Sequence, residues 1–144
     1  MFDHILVVCI GNICRSPVAE GLLKKALADR GAVVESAGLG ALVDRPAEPH
    51  SVEIAKSLGV DISAHRARQL TTAMLETADL VLVMENRHVE AITRMAPQAR
   101  GKTKLVGHWC DNAEVPDPYR QPVESYEHSI ELIEQSVKRW LVHL

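Results

Sequence analysis

At 144 residues, with 47% hydrophobic and 24% charged side chains, the chain fits one domain with a sizeable core. Its net charge of -3, from 16 basic and 19 acidic residues, argues against a nucleic-acid partner while leaving room for a local anion pocket. Three cysteines are too few for a disulfide framework, no apolar run reaches the roughly 18 residues of a membrane span, and the start MFDHILVVC lacks the basic head and long apolar core of a signal peptide, so free thiols, no membrane insertion and a cytoplasmic location are expected.

HILVVCI (4–10) is a β-branched run without alternation, the pattern of a strand buried on both faces of a parallel sheet. SPVAEGLLKKALADRG (16–31) carries Ala19, Leu22, Leu23, Ala26 and Leu27 on one helical stripe. Ser16 is its expected N-cap, with Pro17 at the first helical position and Gly31 as the stop. AVVESAG (32–38) reads as a second strand, and GLGALVDRPAEPH (38–50) as a surface loop. Helices are predicted over 51–59, ending at Gly59, and around 71–78. ADLVLVM (78–84) is another dry strand, followed by a helix over 85–96 with Val89, Ile92 and Met95 on one face. TKLVGHW (103–109) is the last predicted strand, and CDNAEVPDPYRQP (110–122) a proline-punctuated loop. A final helix presents Val123, Tyr126, Ile130, Ile133, Val137, Trp140, Leu141 and Leu144 at helical spacing and should pack along the sheet. Strands alternating with helices predict a single-domain α/β fold, a three-layer αβα sandwich around a mainly four-stranded parallel sheet with right-handed crossovers. Ligands of such sheets bind beyond the carboxyl ends of the strands. The first such end is CIGNICR (9–15).

Five residues separate Cys9 from Arg15. A loop of this length opening into a helix can curl until its N–H groups and the helix N-terminus point at one centre, which makes an anion cradle. Gly11 relieves the crowding a Cβ would bring, and Arg15 adds a planar fork matched to two phosphate oxygens. Donors that hold phosphate also stabilise a thiolate, so Cys9 at the strand end becomes a nucleophile beneath a bound phosphoryl group. A Walker loop needs a Gly-Lys-Ser/Thr that is missing, and a dinucleotide fingerprint needs three glycines where this turn has one. Seven scattered histidines supply no zinc spacing, and Cys9 and Cys14 do not form a C-x-x-C pair. Two structural cysteines remain the bland alternative. Far downstream, Asp117 lies between Pro116 and Pro118, which stiffen the chain on both sides and make an exposed carboxyl there a general-acid candidate. Taken alone, a Pro-Asp-Pro turn is usually only a turn.

Cys9-Ile10-Gly11-Asn12-Ile13-Cys14-Arg15-Ser16-Pro17, together with Asp117-Pro118-Tyr119, resembles the low-molecular-weight protein tyrosine phosphatases. The resemblance extends through ESAG (35–38) and ADLVLVM over essentially the whole chain. SAGLGAL (36–42), GHW (107–109) and DPYR (117–120) resemble the bacterial branch tied to capsule and exopolysaccharide production, whose partner is an autophosphorylating tyrosine kinase with a tyrosine-rich tail. The resemblance implies that Cys9 forms a cysteinyl-phosphate, that Arg15 clamps the equatorial oxygens with the loop amides of residues 10–14, and that Asp117 protonates the leaving oxygen and later activates water. It implies that Ser16 donates to the thiolate, that Asn12, Ser36 and His65 brace the loop, and that no metal or other cofactor takes part. Ile10, Ile13, Leu42 and Tyr119 are expected to wall the substrate slot. Cys14 sits in the same short loop, suited to packing or to a reversible disulfide with Cys9, whereas Cys110 reads as structural or incidental. Where animal members carry a second aromatic after the tyrosine of DPY, this chain has Arg120. A monomer is the default expectation.

Two other functions are compatible with the loop. Thiol-dependent arsenate reduction uses the same fold and anion loop but needs further cysteines to relay a disulfide, and only Cys110 remains. A non-catalytic phosphate-binding module would need neither Cys9 nor Asp117.

Overall fold

In the computed structural model, which describes residues 2–144, four parallel strands lie in the order β2-β1-β3-β4. They are β1 His4–Cys9, β2 Val33–Gly38, β3 Leu80–Val83 and β4 Thr103–Leu105. The helices are α1 Arg15–Ala26, α2 Pro49–Ser57, α3 Thr72–Thr77, α4 Asn86–Met95 and α5 Val123–Leu141. The chain goes from β1 outward to β2, then crosses back over β1 to β3. The strand order therefore reverses beside the carboxyl end of β1, where open α/β sheets bind their ligands.

Both faces of the sheet are covered, which is why the central strands β1 and β3 show no polar alternation, whereas the edge strands β2 and β4 carry Glu35 and Lys104 at partly exposed positions. Ile5, Val7 and Cys9 of β1 and Leu80 and Leu82 of β3 pack with Val18, Leu23, Ala55, Ile130, Ile133, Val137 and Trp140 from α1, α2 and α5. Leu6, Val8, Val81, Val83 and Leu105 face the opposite layer, with Leu75 of α3 and Ile92 of α4. This is the expected three-layer αβα sandwich. The C-terminal helix packs along the sheet as its stripe predicts, except that Val123 at its start is exposed.

Several boundaries differ from the sequence reading, each for a local reason. β1 stops at Cys9, because from Ile10 the chain turns into the loop. α1 begins at Arg15, with Cys14 in the cap position and no side-chain cap bond. Ser16 therefore lies inside the first turn, and its hydroxyl bonds Cys9 instead of capping the helix. α1 ends at Ala26, and a 3₁₀ turn over Ala28–Arg30 carries the chain to Gly31, whose φ of 68° suits a residue without a Cβ. α2 starts at Pro49, since proline tolerates the first helical turn. The last strand keeps only Thr103–Leu105: Gly107 pairs antiparallel with Ala113 and bends the chain into a turn. A second 3₁₀ turn, Pro97–Lys102, lies where no element was predicted.

Candidate active site

The loop after β1 is shaped by where its carbonyls go. Those of Cys9, Ile10, Gly11 and Ile13 accept from the N–H groups of Leu39, Gly40, Leu42 and Glu48, at 2.8–3.1 Å. The Cys14 carbonyl accepts from the Ser51 hydroxyl at 3.1 Å, and the Asn12 carbonyl from His65 Nε2 at 2.6 Å. Segment 39–51 thus pins the carbonyls outward. Among the described residues, none of the N–H groups of Gly11, Asn12, Ile13 and Cys14 donates to a protein acceptor. Buried donors without partners are costly. These, with the open N–H groups of the first turn of α1, converge as a site built for an anion. Gly38 permits the close approach of β2, since a Cβ there would run into the Ile10 carbonyl.

Behind the loop, a chain of hydrogen bonds ends on the Cys9 sulfur. The Arg68 N–H donates to Asn12 Oδ1 at 2.9 Å, which fixes the orientation of the Asn12 amide. Asn12 Nδ2 then donates to Ser16 Oγ at 2.7 Å and to Ser36 Oγ at 3.0 Å. Ser36 passes its own hydrogen to Glu20. Ser16 Oγ accepts from Asn12 and donates to no other acceptor among the described residues, so its hydrogen can point to Cys9 Sγ, 2.9 Å away. Asn12 holds φ at 59°, a left-handed conformation that asparagine tolerates better than most residues. Cys9, Asn12, Ser16 and Ser36 are all buried, so the network is shielded from competing water.

Arg15 is 1% exposed, although it carries a full charge. One guanidinium nitrogen, Nη1, donates to Glu85 Oε2 at 2.6 Å and to the Val115 carbonyl at 2.9 Å. The other, Nη2, lies 3.7 Å from Asp117 Oδ2. Its Nε is buried without a partner. A guanidinium held at one corner and left open at another is ready for an incoming oxyanion. Burial raises the Glu85 pKa, but hydrogen bonds from Arg15 and Arg87 outweigh it and hold the carboxyl below its ordinary value. His88 accepts the Glu85 N–H on Nδ1 at 3.2 Å, and its Nε2 faces the Glu85 carboxylate at 3.4 Å. Burial, with the nearby Arg15 charge, pushes the His88 pKa down to about 4, so the ring is neutral near pH 7.

Asp117 reaches the same centre from the loop before α5. Val115 anchors that loop to Met84 by a backbone bond of 2.9 Å, and the Ser129 hydroxyl of α5 holds the Pro116 carbonyl at 2.8 Å. Asp117 Oδ1 accepts from the Tyr119 N–H at 3.1 Å, while the carboxyl stays solvent-accessible. A slot of about 150 Å³ opens between the two loops. Cys9, Arg15 and Asp117 reach it, and Ile10, Ile13, Leu42 and Tyr119 form apolar walls. A wider cleft of about 390 Å³ lies beyond Ser36 and His65, lined by charged side chains and by no cysteine. The narrow slot is where the reactive groups converge.

The structure brings Cys9, Arg15, Asp117, Leu42 and Tyr119 to one slot, whereas a Cβ at Gly11 would meet nothing nearer than 3.6 Å, so the crowding expected there is not found. Asn12, Ser36 and His65 stand behind the loop, not in the slot. Cys14 lines the slot beside Cys9, and its thiol makes a long contact of 3.9 Å with the Tyr126 hydroxyl. Burial pushes the Cys14 pKa up to about 12, so this thiol is protonated near neutrality. Mild peroxide is expected to inactivate the protein and a thiol to restore it, because a neighbouring thiol can trap a sulfenic acid on Cys9. Cys14→Ser should recover less activity. Equal recovery of variant and parent, measured after a timed peroxide pulse, would rule out a protective disulfide.

Glu20, Arg68, Glu85, His88 and Val115 escaped the sequence reading. Glu85 had one available signal: it follows the predicted strand 78–84, at the sheet end where ligands bind. Val115 acts through its carbonyl, and Arg68 donates to Asn12 through its backbone, so side-chain identity gave no hint of either. Among the described residues, no group of three His, Cys, Asp or Glu side chains is placed to hold a metal ion, and no helix is long and apolar enough to cross a membrane.

Residues 4–144 match the low molecular weight phosphotyrosine protein phosphatase family. The chain is 46% identical to the low molecular weight protein-tyrosine-phosphatase Wzb of Escherichia coli strain K12 over 140 residues, covering 97% of this chain and 94% of that relative. The structure of Vibrio vulnificus Wzb in complex with benzylphosphonate matches with a TM-score of 0.95 at 44% identity, covering 100% of both chains. That of the tyrosine phosphatase AmsI from Erwinia amylovora matches with a TM-score of 0.95 at 42% identity, covering 100% of this chain and 94% of the other.

Proposed function

The chain belongs to the low molecular weight phosphotyrosine protein phosphatase family, and from that premise we propose that it hydrolyses phosphotyrosine in proteins through a phosphorylated Cys9. The observation that carries this reading is the convergence, on one slot, of the Cys9 sulfur, the unused N–H groups of residues 11–14, the open Nε of Arg15 and the Asp117 carboxyl. The Cys9 thiolate attacks phosphorus in line with the ester bond. Loop N–H groups and Arg15 take the equatorial oxygens, where charge is held in the transition state. Asp117 gives its proton to the departing tyrosyl oxygen. The resulting carboxylate then takes a proton from water as that water attacks the cysteinyl-phosphate, releasing phosphate and restoring the thiolate. The steps as written use no metal. Benzylphosphonate, bound by the Vibrio relative, carries an aromatic ring on a phosphorus–carbon bond, and the apolar walls here suit a ring above the phosphoryl group.

The protein substrate proposed is an autophosphorylated tyrosine kinase of a capsule or exopolysaccharide system, acted on in the cytoplasm. The SAGLGAL, GHW and DPYR segments and the similarity to Wzb and AmsI support that choice. The arsenate-reducing alternative is weaker, since Cys110 does not line the slot that holds Cys9 and Cys14. Hydrolysis of p-nitrophenyl phosphate with EDTA present separates the phosphatase from both rivals.

Asp117→Asn tests the acid directly. General acid catalysis contributes roughly 10²–10⁴-fold, and a basic leaving oxygen needs the proton most. The loss should therefore be largest for phosphotyrosine-like phenyl esters and smallest for p-nitrophenyl phosphate. The slope of log rate against leaving-group pKa should steepen. An equal loss on every ester would assign Asp117 a structural role.

A further inference from the structure

Resting on the phosphotyrosine reading above, we propose that Arg120 selects phosphotyrosines flanked by a second anionic group, either an acidic side chain or another aryl phosphate. Arg120 directly follows Tyr119, a wall of the slot, and its guanidinium carbon lies 5.2 Å from the centre of the Tyr119 ring. The ring holds the cation at the slot's rim by its face. Arg15, Arg68 and Arg87 each lie within 4.0 Å of a carboxylate, but no carboxylate lies within that distance of Arg120 among the described residues. Its charge is exposed and uncommitted.

The backbone points the same way. Pro118–Gln121 is a turn closed by the Gln121 N–H on the Pro118 carbonyl at 2.9 Å. Arg120 is the third residue of that turn, with φ at 63°. Glycine or asparagine fills such a position at least cost, and a long side chain there carries strain. Apart from its contact with the Tyr119 ring, the Arg120 side chain makes no internal ion pair among the described residues, and the backbone position itself would suit glycine better. What it adds is an exposed positive charge against Tyr119, a wall of the slot. On a chain of net charge -3, a fixed cation at the mouth favours an anionic segment and disfavours a basic one.

The test uses three phosphotyrosine peptides of one sequence. The residue beside the phosphotyrosine is alanine, glutamate or phosphonomethyl-phenylalanine, whose phosphorus–carbon bond is not hydrolysed. Each kcat/KM is divided by the same protein's rate on p-nitrophenyl phosphate. The parent should prefer one or both anionic peptides over the alanine peptide. Arg120→Gly, which suits the turn, should reduce that preference by up to about 5-fold, the scale of an exposed ion pair, mainly through KM and less at high salt. Arg120→Glu should reverse it, and Arg120→Lys should keep most of it. Which anionic peptide loses its advantage identifies the source of the second charge. An active parent whose peptide ratios are unchanged in Arg120→Gly and Arg120→Glu overturns the proposal alone. A parent that hydrolyses p-nitrophenyl phosphate but none of the peptides overturns the phosphotyrosine reading and this proposal with it.

Discussion

Cys9→Ser is expected to lower kcat by at least about 10⁴-fold on every ester, the scale on which loss of a covalent nucleophile is felt. Serine keeps the shape of the site but replaces a polarisable thiolate with a hydroxyl that stays protonated at neutral pH. Among the described residues no histidine or carboxylate hydrogen-bonds the Cys9 sulfur; its side-chain partner is the Ser16 hydroxyl at 2.9 Å, which itself accepts from Asn12 and is no base. The cradle itself does not depend on the sulfur, because the loop carbonyls are pinned by segment 39–51. Phosphate should therefore still bind as a competitive ligand, measurable by calorimetry, while turnover vanishes. A Cys9→Ser protein with parental turnover would remove the covalent mechanism altogether.

Arg15→Lys is expected to cost about 10²–10³-fold in kcat, the size of effect seen when one preorganised transition-state donor is lost. The charge is retained, so a simple Coulomb account would forecast a mild effect. The geometry forecasts a severe one. Arg15 must reach Glu85 and the Val115 carbonyl with one nitrogen while keeping Nε and its second nitrogen for the substrate. A lysine ammonium is one point at the end of a flexible stem and cannot span both sides. It would settle on the Glu85 carboxylate, which loses its 2.6 Å partner when Arg15 is replaced. Binding of phosphate should weaken less than turnover, since a ground-state anion is satisfied by the loop N–H groups. Equal losses in phosphate affinity and kcat would show that Arg15 contributes uniform binding only. Alanine is the poorer probe: it leaves Glu85 without its closest partner, and breaking a buried pair can cost about 3–5 kcal/mol of stability.

The layers of the fold were legible because their signals are local. β-branched runs without alternation marked β1 and β3, and the 130-133-137-140 stripe marked α5. The anion loop was legible for a related reason: a nucleophile, a glycine and an arginine lie within one turn of chain. What stayed hidden depends on distant pairing. Ser16 looks like an N-cap because serine is favoured there, but here tertiary structure claims its hydroxyl for Cys9. Glu85 lies 70 residues from Arg15, and no spacing rule connects them. Val115 contributes only a carbonyl, which every residue has. The last strand was read too long because Val106 is buried like a strand residue, although Gly107 already belongs to a turn with Ala113.

The account stands on a phosphoryl group passing through the Cys9 sulfur. Acid quenching during turnover of a phosphotyrosine peptide, followed by mass spectrometry of the digest, observes that step directly. One phosphoryl group should appear on the peptide containing Cys9 and be absent from Cys9→Ser; with p-nitrophenyl phosphate, whose leaving oxygen needs the Asp117 proton least, it should accumulate further in Asp117→Asn, which slows attack of water on the intermediate. Steady turnover with no phosphoryl group on Cys9 at any quench time, in either the parent or Asp117→Asn, would contradict the account.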